Sequence, residues 1–410
     1  MNTNNPTIAI THGDTNGIGY ELILKSFADN SLLELFTPIV YGSPKVAAYH
    51  RKAIDVPANF TIITEAEEAR HNRFNLLTTF AEEVRVELGT PTPEAGNAAF
   101  RAMRTAVDDT KNQKVDALVL APADNATMQG PDYQFGSEKS YVEMMLDNKD
   151  KGLLLYVVDT VRIASLADHK ALREVPAAVS AAHLEEKLRL LHTTLRRDYG
   201  IDDPRIAVMA LNDVDRNGRF YGDEEQDIMV PTQQKLAEEG MKVYGPCSFN
   251  ELLSAYGDGA YDAVLAMHDG QAAMLMQQLT DHVGYEYIAG LPAVVTLVAA
   301  GADYAKAGSN TANTALLRQA IYACIDICRQ REAYDEAHAN PLPKLYHERR
   351  DEGEKVRFAV SNNRKRYPQN DNERVADEAP DTETLPTVPA DMSEANDNDA
   401  PSNDTPPANE

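Results

Sequence analysis

Residues 213–224, DVDRNGRFYGDE, place oxygen-bearing side chains at the spacing of a calcium-binding loop. The pattern predicts four side-chain ligands and one backbone carbonyl ligand for a hard cation such as Ca2+: Asp213, Asp215, Asn217, Glu224 and the carbonyl of Arg219. A strand-like run, RIAVMAL, precedes this loop, whereas a helix precedes the loop of an EF-hand. The alternative hypothesis is therefore a polar surface loop, in which Glu224 is an acid at the start of the next helix.

Three further polar segments also follow strand-like runs: THGDTNGIGYE, APADN and AMHDGQ. Ligands of parallel sheets bind beyond the carboxyl ends of the strands, so these segments and the 213–224 loop are the expected site. Gly17 and Gly19 allow a close backbone approach to an anion at a helix N-terminus, although the segment lacks the dinucleotide pattern G-x-G-x-x-G. A structural strand-to-helix turn explains these glycines equally well, and we expect His12 to be a core or turn residue.

Short β-rich runs alternate with amphipathic helical runs along most of the chain. The strand candidates are short apolar runs, among them residues 7–11, 36–42, 115–122, 152–158, 161–167, 205–211 and 261–268. Residues 183–200 and 311–330 carry apolar residues at helical spacing, and Cys324 and Cys328 share one face of the second helix as core thiols. This alternation predicts βαβ units and an α/β fold, with a mostly parallel sheet flanked by helices.

The charge of the chain is strongly negative. Its 410 residues have a net charge of −25, which argues against nucleic acid as a partner. Residues 371–410 contain twelve acids and one base, Arg374, and few large apolar residues. We expect the basic-then-acidic tail at 346–410 to be disordered, because it buries too little apolar surface to offset its ordering entropy. Partner binding by this tail is the alternative to a solvated, self-screening segment.

The compartment is indicated by three features. The three cysteines do not form a disulfide framework and suit a reducing cytoplasm. No run of about 18 apolar residues exists, so neither a membrane span nor a membrane partner is expected. The N-terminal residues lead directly into a strand-like run and lack the basic and apolar regions of a signal peptide. These features predict a cytoplasmic protein.

The segment THGDTNGIGYELILKSF, residues 11–27, resembles the opening G-D-x-x-G-I-G-x-E motif of the 4-hydroxythreonine-4-phosphate dehydrogenases, the PdxA family. Further segments resemble this family in order and spacing: PIVYGSPKVAAYHRKA, VRVELG, DALVLAPADN, DHKALREVP, PRIAVMALN, GDEEQDIMVPTQQKLAEEG, YDAVLAMHDGQ and AGLPAVVT. The resemblance extends over residues 5–345 and leaves the tail outside it.

The resemblance implies a fold like that of the isocitrate and isopropylmalate dehydrogenases, with two α/β/α domains and an active site in the cleft between them. Residues 1–125 together with 286–345 would form the first domain, and residues 126–285 the second. The resemblance also implies a homodimer that uses NAD and a divalent metal ion. Its reaction would be the oxidation of 4-hydroxythreonine 4-phosphate in pyridoxal phosphate biosynthesis.

Three metal-binding histidines are implied by the resemblance, and only the first is matched, by His169 in DHKALREVP. The second falls at Val214 and the third at Asp269, with His268 displaced by one position. His169, His268 and Asp269 remain as candidates for a site with two histidines and one carboxylate. The alternative is that His169 is an ordinary polar loop residue.

The substrate-binding positions implied by the resemblance have also changed type in an ungapped match. The family's Gly-His-Thr segment falls at residues 137–139. Where the resemblance implies an aspartate, a lysine, an asparagine and an arginine, this chain carries Asn250, Gln277, Glu286 and Val295. Val295 cannot bind an anion, and the carboxylate of Glu286 repels a phosphate. Lys139 is therefore the new cation that we assign as the candidate catalytic or phosphate-binding residue.

The sequence leaves three functional hypotheses. The first is an active NAD-dependent dehydrogenase of the PdxA type. The second, which the replaced side chains favour, is a divergent or non-catalytic homologue that binds another molecule, calcium at residues 213–224 included, or regulates a partner. The third is an enzyme with a less anionic substrate. A Lys139 side chain directed into the cleft favours an enzyme, and one that faces solvent favours the second hypothesis.

Overall fold

The computed structural model describes residues 5–80, 83–147, 151–257 and 259–340. These residues belong to one unit of the chain, which is bounded by residues 1 and 343. The predicted disorder of the tail at 346–410 lies outside the described residues. No described helix is both long and apolar enough to cross a membrane.

The strands are short apolar runs of three to seven residues. In chain order they are β1 (Thr7–Thr11), β2 (Thr37–Gly42), β3 (Thr61–Ile63), β4 (Asn75–Thr78), β5 (Ala117–Leu120), β6 (Leu153–Val158), β7 (Val161–Ala167), β8 (Arg205–Met209), β9 (Lys242–Cys247), β10 (Ala263–His268), β11 (Tyr285–Ala289) and β12 (Val294–Val298). Every residue of β2 and β12 is buried, as expected for strands of a sheet that helices cover on both faces.

The α-helices are, in chain order, α1 (Gly19–Ser26), α2 (Pro44–Ala53), α3 (Pro93–Lys111), α4 (Asn125–Met128), α5 (Glu138–Met145), α6 (Val175–Ala178), α7 (Ala181–Arg197), α8 (Val230–Glu238), α9 (Phe249–Gly257), α10 (Asp269–Leu279) and α11 (Ala315–His338). Three short 3-10 segments, Asn30–Glu34, Ala66–Glu68 and Leu172–Glu174, and a π turn, Glu225–Met229, complete the helical elements of the described chain.

The strands form one sheet in the order β3-β4-β2-β1-β5-β12-β11-β6-β7-β10-β8-β9. The pairs in the two outer parts of this order are parallel. The three central pairs, β12–β11, β11–β6 and β6–β7, are antiparallel. The structure thus confirms the predicted α/β fold with a mostly parallel sheet, and strands of both proposed domains belong to this one sheet.

Helices α3 and α11 cover much of the first half of this sheet, since α3 packs against β1, β2 and β5 and α11 against β12 and β5. The buried face of α11 carries Leu317, Ile321 and Cys324, each 0% exposed, at helical spacing. Cys324 is therefore the predicted core thiol, whereas Cys328 on the same face is only partly buried. Both cysteines are free thiols.

The sheet brings the four polar strand-end segments together in two pairs. The segment after β1 contacts the segment after β5, where the backbone N–H of Asp14 donates to the carbonyl oxygen of Pro122 at 2.9 Å. The segment after β8 contacts the segment after β10, where Gln271 Nε2 donates to the carbonyl oxygen of Ala210 at 2.8 Å. Neighbouring parallel strands account for both pairs, because their carboxyl ends meet at one edge.

Candidate functional site

A buried ionic network lies where α5 meets the carboxyl end of β7. Lys139 Nζ lies 2.8 Å from Glu143 Oε1 and 3.0 Å from Asp168 Oδ2, and we call these three residues the Lys139 network. Ser137 caps α5 by accepting the N–H of Ser140, which places Lys139 and Glu143 on one face of the helix, four residues apart. Both side chains are more than nine-tenths buried.

Electrostatics favour the charged forms of Lys139 and Asp168 in this network. Burial lowers the pKa of Lys139, but the adjoining carboxylates of Asp168 and Glu143 outweigh it, so that the pKa is raised overall. Burial raises the pKa of Asp168, yet the nearby imidazole of His169 and the charge of Lys139 bring it down to about 2. The ammonium group of Lys139 is thus satisfied by the protein's own carboxylates.

His169 and Asp269 meet beside this network, because β7 and β10 are neighbours with Ala167 in register with His268. The backbone N–H of His169 donates to Asp269 Oδ2 at 2.7 Å. The φ of His169 is 55°, which lies in the left-handed region. His169 Nδ1 lies 3.7 Å from Asp168 Oδ2, and this interaction raises the pKa of the imidazole. The candidate ligand Asp269 therefore contacts the backbone of His169.

The third candidate metal ligand, His268, has a different local role. It is the last residue of β10 and the N-cap of α10, where its Nδ1 accepts the backbone N–H of Gly270 at 3.1 Å. Within the described ranges, no group of three or more His, Cys, Asp or Glu side chains is placed to hold a metal ion. The proposed set of His169, His268 and Asp269 does not converge here, and its residues do not fit the metal that the resemblance implies.

Two glutamates next to this region have strongly raised pKa values. Burial raises the pKa of Glu286. The charge of His169 lowers it and the carboxylate of Asp269 raises it, and the resulting pKa is about 7. Burial and the charge of Glu286 raise the pKa of Glu138 to about 7 as well. Tyr156 stands opposite Glu286 in the β6–β11 ladder. The region is therefore rich in carboxyl groups, two of which are only partly ionised at neutral pH.

The candidate calcium loop forms a small hairpin that uses its oxygen atoms internally. Val214 and Phe220 pair as an antiparallel bridge, and Asp215 Oδ1 accepts the backbone N–H groups of Asn217 and Arg219 at 2.7 and 2.9 Å. These hydrogen bonds lower the pKa of Asp215. The carbonyl oxygen of Arg219, a predicted ligand, accepts the N–H of Asp215 at 2.7 Å.

Two further predicted calcium ligands of this loop, Asp213 and Glu224, also have protein partners. Glu224 Oε2 accepts Asn212 Nδ2 at 2.9 Å, and Asp213 Oδ1 accepts the backbone N–H of Val214 at 2.8 Å. Glu224 directly precedes the π turn that leads into α8, as the alternative of a helix-initiating acid predicted. The loop geometry therefore agrees better with a polar hairpin than with a cation cage.

The GDTNGIGYE turn between β1 and α1 is buried and closely packed. A Cβ at Gly19 would lie 2.1 Å from the carbonyl oxygen of His12, and one at Gly13, whose φ is +72°, would lie 2.2 Å from that of Pro122. The backbone N–H of Ile18 donates to the carbonyl oxygen of Ala302 at 3.0 Å. The glycines thus admit neighbouring backbone, as expected for a structural strand-to-helix turn.

Side chains of this turn fix it to distant segments. Tyr304 Oη donates to Asp14 Oδ2 at 2.9 Å and to Asp124 Oδ2 at 3.3 Å, and burial raises the pKa of Asp14. His12 is 0% exposed, as expected of a core residue, and its ring stacks on that of Tyr20 with centroids 4.9 Å apart. The ring of His50 also stacks on that of Tyr20, with centroids 5.0 Å apart. The segments after β1 and β5 therefore have a structural role, because their side chains bind distant parts of the chain to each other.

Sequence reasoning missed Glu143, Asp168 and Tyr304. Glu143 follows Lys139 by four residues, a spacing that signals a helical ion pair and was available in the sequence. Asp168 adjoins the candidate ligand His169, but no local pattern shows that it faces Lys139. Tyr304 lies 290 residues from Asp14, so only the folded sheet brings the two together.

Comparison with known proteins identifies relatives over most of the chain. The profile of the family described as "Pyridoxal phosphate biosynthetic protein PdxA" matches residues 34–324. A 4-hydroxythreonine-4-phosphate dehydrogenase from Bacteroides thetaiotaomicron is 40% identical over 358 residues, which cover 87% of this chain and 98% of the relative. A D-threonate 4-phosphate dehydrogenase from Cupriavidus necator is 28% identical over 331 residues, covering 80% and 98% of the two chains.

A solved structure supports the same fold. The crystal structure of a 4-hydroxythreonine-4-phosphate dehydrogenase from Klebsiella pneumoniae superimposes with a TM-score of 0.69 at 24% identity. The match covers 80% of this chain and 99% of that one. At this level of identity, the likeness shows a shared fold.

Proposed function

The chain belongs to the PdxA family, and we propose that it is a divergent member in which the oxidation of 4-hydroxythreonine 4-phosphate is lost or altered. The single observation that carries this proposal is the Lys139 network. Lys139 is the one cation that the sequence offered in place of the family's anion-binding side chains, and two carboxylates of the protein neutralise it. A phosphate would have to displace them.

Such a displacement is unfavourable. Breaking a buried ion pair by removing one partner costs about 3–5 kcal/mol, because a charge remains buried without compensation. The nearby carboxyl groups of Glu138 and Glu286, once ionised, would also repel a phosphate dianion, by about 4 kcal/mol per unit charge at 4 Å and an effective dielectric constant of 20. Val295, where the resemblance implies an arginine, is fully buried in β12. This part of the protein therefore disfavours a phosphorylated substrate.

NAD as the cofactor and a homodimer as the assembly, both features of the family, are proposed for this chain as well. In the part of the chain that the structure describes, no group of His, Cys, Asp or Glu side chains fits a three-ligand metal site. NAD is supported by the dehydrogenase names of the relatives. The homodimer, the two-domain division and the cytoplasmic location stay predictions.

The test is NADH formation by purified protein with 4-hydroxythreonine 4-phosphate, NAD and a series of divalent metals that includes calcium. We expect no turnover above a metal-free control from protein whose circular dichroism shows that it is folded. The relative from Bacteroides thetaiotaomicron, assayed in parallel, shows that the substrate and the conditions are adequate. Turnover by the present protein would contradict the proposal, and its loss in Lys139→Met would then assign the anion-binding role to that lysine.

An enzyme that acts on a less anionic substrate is the second candidate function. The observation in its favour is the position of Lys139, which points into the protein beside Asp168 rather than towards solvent. Replacing the substrate in the same assay by unphosphorylated 4-hydroxythreonine separates the candidates. NADH formation with the unphosphorylated compound alone would favour this second candidate over a loss of catalysis.

A further inference from the structure

A cavity of about 390 Å³ lies beside α3. Its walls combine two arginines with polar and aromatic side chains: Thr79, Asn97, Phe100, Arg101, Arg104 and Asp132. Thr79 follows directly after β4, so the cavity opens at the carboxyl end of a parallel strand, where α/β sheets bind ligands. A volume of this size suits a small metabolite.

One face of α3 supplies the cations of this cavity. Asn97, Arg101 and Arg104 are four and three residues apart, so they lie along one side of the helix. The opposite side is buried against the sheet through residues such as Ala99 and Met103. Two guanidinium groups therefore line one concave surface of a chain whose net charge is −25. Guanidinium groups bind phosphate and carboxylate with two parallel hydrogen bonds, which a lysine cannot do.

Arg104 is the more available of the two cations. Its guanidinium carbon lies 5.8 Å from the centroid of the Phe100 ring, which holds the side chain along the helix. Among the described residues, no carboxylate forms a salt bridge with it, although its charge acts on Asp108 one turn further along α3. Arg101 already has an interaction partner, so the argument rests on Arg104. Asp132 is the one acidic side chain that the described part of the chain places on the wall, and it is exposed to solvent.

We propose that this cavity binds the phosphate group of a small phosphorylated molecule, with Arg104 as the principal anchor and Asn97 as a hydrogen-bond donor. The apolar wall at Phe100 would contact the organic part of that molecule. The cavity and the Lys139 network have no residue in common, although α3 packs against α5 and the Phe100 ring lies 5.4 Å from the ring of Tyr141. A negative result in the test of this inference would therefore not contradict the proposed function, and the reverse is also true.

The experiment is titration calorimetry of the full chain with inorganic phosphate and with pyrophosphate at constant ionic strength. The test variant is Arg104→Gln, an exposed substitution on the helix surface. Arg51→Gln is the matched control, since the Arg51 guanidinium lies 5.6 Å from the Phe60 ring in a comparable contact but lines no part of this cavity. Circular dichroism confirms that both variants are folded.

We expect saturable binding of at least one of the two anions by the wild type and by Arg51→Gln, and at least tenfold weaker binding by Arg104→Gln. Absence of saturable binding by the folded wild type would overturn the proposal. Equal affinity in the wild type and Arg104→Gln would overturn it as well, because the anion would then bind elsewhere. Equal losses in both variants would show a general effect of charge and would count against the site.

Discussion

Replacing Glu286 by glutamine isolates the effect of an unfavourably buried acid on stability. Glu286 lies on β11, opposite Tyr156 of β6, and its pKa is raised from 4.5 to about 7, mainly by burial and further by Asp269. Glu286→Gln keeps the size of the side chain and removes its ionisation. The variant should therefore differ from the wild type in the pH dependence of its unfolding free energy.

The sign follows from proton binding in the two states. Between pH 4.5 and 7 the folded protein keeps the proton on Glu286, whereas the unfolded chain has released it, so the stability of the wild type falls as pH rises through this window. The shift of 2.5 pH units corresponds to at most about 3.4 kcal/mol. Because Glu286 is partly exposed, solvent screening reduces this to about 1–3 kcal/mol. The unfolding free energy of Glu286→Gln, relative to that of the wild type, should therefore rise by this amount between pH 4.5 and pH 8.

The same substitution acts on a second acid. The charge of Glu286 raises the pKa of Glu138, so its removal lowers that pKa and increases the gain of the variant at pH 8. Two buried histidines oppose these acids in the wild type, since burial lowers the pKa values of His12 and His50 to about 4. Unfolding releases these imidazoles to take up protons below about pH 6.5, so this contribution to stability rises with pH. The difference between wild type and variant at each pH cancels the histidine contribution.

The assay is urea unfolding at intervals from pH 4.5 to 8, followed by far-ultraviolet circular dichroism because the chain contains no tryptophan. Glu238→Gln, at an exposed position of α8, is the control and should follow the wild type at every pH. A constant difference between wild type and Glu286→Gln across the range would refute the reasoning. It would mean that the carboxyl group of Glu286 is hydrated in the folded state.

Three further predictions concern the turns at the strand ends. Tyr304→Phe should lower the unfolding free energy by about 1–3 kcal/mol, because Asp14 loses a hydrogen-bond donor in a buried position; unchanged urea unfolding would disprove this role. Gly19→Ala should yield no folded protein, since the new Cβ would lie 2.1 Å from the carbonyl oxygen of His12, and a native circular dichroism spectrum would show that the turn adapts. Asp215→Ala should lower the melting temperature by at most about 4 °C, equally with and without calcium; a calcium-dependent rise that the variant loses would instead support a cation site.

The strands could be predicted from the sequence wherever an apolar run ends at turn residues. The runs at 152–158 and 161–167 contain β6 and β7, which pair as an antiparallel ladder. The sequence does not show that β5 pairs with β12, because Leu118 and Val295 are far apart in the chain and equally apolar. Strand order depends on how whole elements pack, which local periodicity does not contain.

The residues of the candidate site could be predicted from the sequence, but the contacts between these residues could not. His169 and Asp269 are strand-end residues, but their contact requires that β7 and β10 be neighbours. The spacing of oxygen atoms in residues 213–224 fits a calcium loop, yet Asp215 accepts backbone N–H groups of its own turn. Aspartate side chains do this in many turns, and a pattern of residue types does not distinguish the two uses.

The place of β12 in the sheet has a consequence for synthesis on the ribosome. β12 lies between β5 and β11, so the first half of the sheet stays incomplete until residues 294–298 have left the ribosome. Contacts between such distant segments form slowly, and unpaired strand edges are prone to aggregation. We expect nascent chains that end near residue 290 to be protease-sensitive, and chains that extend beyond α11 to be resistant. Resistance in the shorter chains would show that β5 needs no partner on that side to fold.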